Sequence, residues 1–177
     1  MPRILILSAL LALASGLAAC DSGTTSNLTD AERIVGSWLA TDAGLRTIIP
    51  GVTVSVFDAI GANDRITIDF GSDGRFTSTF DVAPGTTIGI DLVQVALNDA
   101  TVSGTYSLNE STQRLTLTPD GSPASGDIEY DFNGDNQFEL IFEDEELIAS
   151  LFGVAGADVQ ILMNAITGAE ITYQRQS

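Results

Sequence analysis

Histidine and lysine are both missing from the 177-residue chain, and each absence removes a group of mechanisms. Without an imidazole, neither a Ser-His-Asp triad nor a Cys-His nucleophile can form, and the usual imidazole ligand for zinc or haem is lacking. All seven basic residues are arginines, so no lysine can form a Schiff base or complete a P-loop. The sequence therefore favours a protein that is not an enzyme and has no cofactor or bound metal.

Basic residues are scarce relative to acidic ones. The seven arginines face 24 Asp and Glu residues, which gives a net charge of -17. This charge argues against nucleic acid as a partner, because phosphate binding depends on basic side chains that release counterions. Since Asp outnumbers Glu by 16 to 8, the acidity indicates a solvated surface that keeps the protein soluble, as in adaptation to high salt.

The single cysteine, Cys20, excludes an internal disulfide and ends an apolar leader. Residues 1–19 contain one charge at Arg3, the apolar run Ile4–Leu13 and then small residues, which is the order of a signal peptide. The apolar run is too short for a membrane-spanning helix. Leu17-Ala-Ala-Cys20 resembles the lipobox of bacterial lipoproteins, and this resemblance implies cleavage before Cys20 and acylation of its thiol.

The resemblance to lipoproteins also implies a location and a membrane contact. The mature chain would run from residue 20 to 177 with a net charge of -18, anchored in the cell envelope by the acyl chains on Cys20. Residues 20–28 are polar and aperiodic, which predicts a tether. Whether the protein sits in the inner or the outer membrane, and on which face, stays open.

The remaining residues, 29–177, predict one all-β domain. Thr29 and Glu32 form a capping box that starts a short helix, which Gly36 ends. From Arg65 onward, apolar residues alternate with polar ones for about six positions between clusters of Gly, Asp, Asn or Pro. With a first strand at Trp38 and a possible one at residues 52–56, this pattern predicts an antiparallel up-and-down barrel of eight or nine strands.

Four segments of this domain are similar to the lipocalin-like (calycin-type) domains of bacterial lipoproteins. They are Ile34-Val-Gly-Ser-Trp38, Phe70-Gly-Ser-Asp-Gly-Arg-Phe76, Gly104-Thr-Tyr-Ser-Leu108 and Ile171-Thr-Tyr-Gln-Arg175. The resemblance implies that Trp38 lies across the closed end of the barrel and stacks with Arg175. A guanidinium over an indole is worth about 0.5–2 kcal/mol, so such a pair would stabilise the barrel floor.

Three apolar insertions interrupt the barrel pattern, at residues 45–60, 88–97 and 143–168. The third has helical spacing and predicts one or two helices before the last strand, the later one with Asp158 as N-cap and Gly168 at its C-terminal end. Apolar residues there either pack on the barrel or form a lid over a ligand cavity, and the pattern leaves both alternatives open.

Two acidic segments resemble functional motifs. Asp131–Glu139 has oxygen side chains spaced like the opening of a calcium loop, but Asn136 and Phe142 occupy the positions where an EF-hand needs Gly and Glu. A hairpin turn is the better interpretation. The run Glu143–Glu146 is explained by the start of a helix, where acidic side chains are favourable.

Two functions remain open from the sequence. The first is a lipid-anchored lipocalin-like protein of the envelope that binds a small hydrophobic or amphipathic ligand. The second is an envelope protein with a structural or protein-interaction role, whose barrel is filled by its own side chains. Large inward residues favour the second: Phe70, Phe76, Phe80, Tyr106, Tyr130, Phe132, Phe138 and Phe142.

Overall fold

The computed structural model describes residues 28–121 and 125–177, so the leader, Cys20 and residues 21–27 of the tether lie outside the described residues. The elements are α1 (Asp30–Ile34), β1 (Gly36–Thr47), β2 (Thr53–Ser55), β3 (Arg65–Phe70), β4 (Arg75–Asp81), β5 (Thr87–Ile90), β6 (Val93–Ala96), β7 (Ala100–Asn109), β8 (Arg114–Pro119), β9 (Gly126–Phe132), β10 (Gln137–Phe142), α2 (Glu145–Leu151), α3 (Ala157–Ala165) and β11 (Ile166–Arg175).

Eight of these strands form a closed antiparallel barrel. Neighbouring strands follow in the order β1, β3, β4, β7, β8, β9, β10 and β11, and β11 pairs with β1 to close the ring. Strand β2 adds to the edge of β1, while β5 and β6 form a separate two-stranded sheet. The predicted up-and-down barrel and its short early helix are confirmed, as are the helices before the last strand.

Alternation of burial shows why these segments form barrel strands. Every second residue of β3, β8 and β10 is buried, and the residues between them are exposed or half-buried. This is the pattern expected when one face of each strand points into the barrel. Because the turns between strands contain Gly, Asp and Asn, the chain reverses where the alternation stops.

The structure corrects the boundaries of two insertions. Residues 45–47 belong to the 12-residue strand β1, so the first insertion begins at Ile48. Helix α3 has Gly156 as its N-cap, not Asp158, and it ends at Ala165, well before Gly168. The carboxylate of Asp158 accepts a hydrogen bond from the amide of Ala96 at 3.2 Å. It therefore makes a tertiary contact and does not cap the helix. Gly168 lies inside β11 with a positive φ of 158°.

The two ends of the barrel are covered by different elements. Helix α1 precedes β1 at the end where β11 finishes, and this end is called the floor below. The other end, called the mouth, carries the turn after β1, the β5–β6 hairpin and helices α2 and α3. In the described part of the chain, no helix has the length and apolar character needed to cross a bilayer.

Candidate functional site

The barrel floor is built around the guanidinium of Arg175. The guanidinium carbon of Arg175 lies 4.3 Å from the centre of the Trp38 ring, and the two residues are cross-strand partners in β1 and β11. Trp38 is fully buried. The structure thus brings together the two residues that the resemblance to lipocalin-like domains singled out.

Hydrogen bonds at the floor tie Arg175 and Trp38 to the last turn of α1. Arg175 donates to the carbonyl of Val35 at 2.8 Å and to the carbonyl of Arg33, while the indole N–H of Trp38 donates to the carbonyl of Ile34 at 2.7 Å. Carbonyls at a helix C-terminus have no partner inside the helix, and a cation there is favourable. The pair therefore acts as a cap for α1.

Gly36 makes this arrangement possible. Its φ of 135° is unfavourable for residues with a side chain, and a Cβ at this position would lie 2.7 Å from Arg175 Nη1. Any larger residue would displace the guanidinium from the helix end.

Side chains fill the interior of the barrel. Phe70, Phe76, Phe80, Phe138 and Phe142 are each at most 2% exposed. A cavity wide enough for a ligand would leave accessible area on the side chains that line it. Aromatic contacts cross the interior instead: the ring centres of Trp38 and Phe138 are 4.5 Å apart, and Phe138 stacks on Tyr173 at 5.1 Å.

Two of the eight predicted inward residues, Tyr106 and Phe132, are only partly buried against this core, and the other six are buried. Burial raises the pKa of Tyr130 and Tyr173, and the carboxylate of Asp30, which accepts a hydrogen bond from the Tyr130 hydroxyl at 3.0 Å, raises that of Tyr130 further. Both tyrosines are therefore neutral at physiological pH.

The apolar insertions close the mouth by packing. Phe152, at the end of α2, is 2% exposed and meets Phe80 of the barrel edge to face at 5.2 Å. Ile88, Ile90 and Val95 of the β5–β6 hairpin are at most 1% exposed. These residues belong to the same hydrophobic core as the barrel interior, which favours packing over a movable lid.

Beyond this packed layer, the mouth presents exposed aliphatic side chains. Ile48, Ile49 and Val52 lie in the turn between β1 and β2, and Leu92 and Val93 lie at the tip of the β5–β6 hairpin; these five residues are called the tip surface. Leu92 is fully exposed. The two turns share a groove of about 390 Å³ that Ile161 of α3 also lines. Apolar clusters of this kind mark contact sites more often than isolated exposed residues do.

A second apolar pocket lies in the barrel wall. Strand β1 pairs with β3 only as far as Leu39 and with β2 only from Gly44, which leaves a seam between them. The chain between β2 and β3 fills this seam, and the amide of Val56 donates to the carbonyl of Ala43 at 2.8 Å. A pocket of about 420 Å³ remains, here called the seam pocket, lined by Leu39, Ala40, Phe57, Ile60, Gly61, Ala62, Asp64 and Arg65. No pattern in the sequence indicates this pocket, because it depends on which strands pair.

The two acidic motifs have structural explanations. Asn133–Asn136 form the turn between β9 and β10, as predicted. Asp144 is the N-cap of α2, and its carboxylate accepts a hydrogen bond from the amide of Leu147 at 2.8 Å. Glu139 faces a pocket of about 310 Å³ on the outer wall, where burial and the nearby carboxylates of Glu170, Asp131 and Asp42 raise its pKa. Within residues 28–121 and 125–177, no three His, Cys, Asp or Glu side chains cluster closely enough to hold a metal ion.

The class of this protein is judged from its fold, because comparison with known proteins found no match. No protein-family model matches the chain, and no curated protein matches it either. The closed eight-stranded antiparallel barrel is consistent with a calycin-like fold and is compatible with a ligand-binding lipocalin-like protein.

Proposed function

We propose that the protein is a lipid-anchored, non-enzymatic protein of the bacterial cell envelope that contacts a partner protein through its tip surface. The observation that carries this proposal is the concentration of five of the six most exposed large apolar residues of the described chain at one end of a filled barrel. A filled interior favours a rigid support over a carrier that encloses its ligand.

The position of the tip surface supports a protein partner over the bilayer that holds the acyl chains. The described chain enters the barrel at the floor, whereas the tip surface is at the mouth. The 12 residues of β1 make the barrel about 30 Å long at the usual strand rise and tilt. A tether of residues 20–28 would span about 30 Å only when fully extended. The tip surface would therefore reach the anchoring membrane only with a fully stretched tether, and we expect it to point away from that membrane.

The chemistry of the tip surface also favours a protein. Membrane-binding surfaces combine apolar residues with Lys or Arg and with interfacial Trp or Tyr. The tip surface has only aliphatic residues, and the nearest charged residue lining its groove is Asp91. A partner with an apolar patch and a basic rim would complement it.

Photocrosslinking in living cells tests this proposal. A photoreactive residue replaces Leu92 in the full chain, and the same residue replaces the exposed Thr105 on the outer wall as a control. We expect a discrete adduct with another protein from position 92 only, weakened by Ile49→Ser. An adduct with lipid or with a second copy of the chain, or equal labelling from position 105, would contradict the proposal.

Anchoring has a separate test. In a host that processes lipoproteins, labelled fatty acid should be incorporated into the wild-type chain and not into Cys20→Ser. The substituted chain should also leave the membrane fraction. Equal labelling of both chains would show that Cys20 is not the acylation site, whatever the result at the tip surface.

A further inference from the structure

The seam pocket combines apolar walls with one free cation at its rim. Phe57 and Ile60 pack partly buried against the core, and Arg65 begins β3 beside them. We propose that the seam pocket binds a single-chain amphiphile with an anionic head group, whose chain lies against these apolar side chains and whose head pairs with Arg65. This site is independent of the tip surface.

Arg65 differs from every other arginine in the described chain. Arg33, Arg46, Arg75 and Arg114 form ion pairs with carboxylates, and Arg175 is held by three backbone carbonyls at the floor. Arg65 has no ion pair, side-chain hydrogen bond or cation–π contact among the described residues. A guanidinium free to make two parallel hydrogen bonds suits a carboxylate or a phosphate.

The acidic neighbours of Arg65 leave this guanidinium available. The Asp64 carboxylate accepts a hydrogen bond from the amide of Gly61 at 2.7 Å, which holds it to its own loop. Asp81 is the cross-strand partner of Arg65 in β4, yet the two side chains form no ion pair within 4.0 Å. Because carboxylates greatly outnumber arginines in this chain, an unpaired guanidinium beside an apolar pocket is the feature that points to an anionic ligand.

Size and position limit the ligand to one chain. At about 420 Å³ the seam pocket is at the small end of the range for ligand sites. Ala40, which lines the pocket, and Ile66, which follows Arg65 in β3, are at most 4% exposed, and such close packing stops a chain from entering the barrel interior. A two-chain phospholipid would leave most of its apolar surface in water, whereas a single chain could lie along the seam.

Calorimetric titration of the purified full chain tests the site. Dodecanoate and dodecyl phosphate, below their micelle-forming concentrations, serve as anionic probes, and dodecanol, below its solubility limit, serves as the neutral one. We expect saturable 1:1 binding of at least one anion, weakened about tenfold or more in Arg65→Gln, because a charged hydrogen bond is lost. Arg114→Gln removes the same charge elsewhere and should bind like the wild type. The anion that depends on Arg65 identifies the head group.

A second pair of variants tests the pocket itself. Ala62→Glu places a carboxylate at the pocket rim beside Arg65, and Ala155→Glu adds the same charge at an exposed position near α3. Only Ala62→Glu should abolish anion binding. No saturable binding of either anion to the wild-type chain would overturn the proposal. Equal weakening by Arg65→Gln and Arg114→Gln, or dodecanol binding as tightly as the anions, would overturn it as well.

Discussion

Among single residues, Arg175 connects three separate parts of the described chain: α1, β1 and the β9–β10 turn. It stacks on Trp38, caps α1 and also donates to the carbonyl of Asp135 in the β9–β10 turn at 3.2 Å. A planar guanidinium can stack on the indole ring and at the same time donate hydrogen bonds to three carbonyls. A lysine would not replace it, because an ammonium is compact and has no planar group to stack.

A double-mutant cycle measures the floor pair. Arg175→Ala should lower the free energy of unfolding by about 2–4 kcal/mol, since charged hydrogen bonds and a cation–π contact are lost together. Combined with Trp38→Leu, which removes the aromatic face, the cycle should give a coupling of about 0.5–2 kcal/mol in urea denaturation. Arg175→Lys should recover little. Arg114→Ala, which removes an exposed ion pair, should cost about 1 kcal/mol or less. Zero coupling would show that the two residues act independently.

Glu139 is a residue whose charge opposes folding. Its folded-state pKa is raised, first by burial and then by the carboxylates around it. The unfolded state therefore ionises at lower pH than the folded state does, and stability falls as pH rises from the usual pKa of a glutamate through the raised one. Above both pKa values the penalty is complete, whereas well below both values it vanishes.

Glu139→Gln should accordingly raise the melting temperature at pH 7 and leave it unchanged at about pH 3, below both pKa values. Glu143→Gln is the matched control, because Glu143 is exposed and its substitution removes the same formal charge. Thermal unfolding followed by circular dichroism at both pH values makes the comparison. Equal stabilisation by the two substitutions would assign the effect to net charge and not to the environment of Glu139.

At the scale of elements, the mouth is closed by structure that belongs to the core. Phe152→Ala should cost about 3–5 kcal/mol, as expected for a large buried ring, and Leu92→Ala at the exposed hairpin tip should stay within about 0.5 kcal/mol. Chemical denaturation of both variants gives these values. A cost below about 1 kcal/mol for Phe152→Ala would favour the lid interpretation, because a movable lid contributes little to global stability.

Elements with a regular local pattern were predictable from the sequence. The hairpin of β3 and β4 followed from alternation around Gly71–Gly74, and α1 followed from Thr29 and Glu32, whose reciprocal hydrogen bonds are present in the structure. The start of α3 was not predictable, because Asp158 has the chemistry of an N-cap but bonds to the amide of Ala96, 62 residues away. Local preference was overruled there by a tertiary contact.

The candidate sites divide in the same way. Trp38 and Arg175 could be named in advance because a resemblance in sequence carried both positions. The tip surface could not be named in advance, because the sequence pattern of an apolar insertion does not show which of its residues are buried. Ile88 is buried and Leu92 is exposed, and only the structure distinguishes them. The seam pocket required knowing that β1 changes its partner from β3 to β2.

The two ends of the molecule differ in what they expose. The chain enters at the floor, aromatic rings fill the middle, and aliphatic residues are exposed at the mouth. Four of the described arginines form ion pairs with carboxylates, and the described carboxylates that have no such partner leave the outside of the barrel negatively charged. The apolar core stabilises the folded protein, and repulsion among the surface carboxylates destabilises it.

Salt should therefore stabilise the whole protein. Raising NaCl from about 0.01 M to about 1 M shortens the screening length from about 30 Å to about 3 Å, which removes most repulsion among surface carboxylates. Because the net charge is -17, we expect the melting temperature to rise steadily over this range.

A variant with several exposed acids neutralised separates this effect from general salting-out. Asp58, Asp73, Asp91, Glu110 and Glu143 can each be changed to the corresponding amide. If repulsion is the cause, this variant starts at a higher melting temperature in low salt and gains less from NaCl than the wild type, so the two curves converge as salt increases. Parallel curves would mean that NaCl acts on apolar hydration instead, and that the acidic surface contributes nothing to the stability balance.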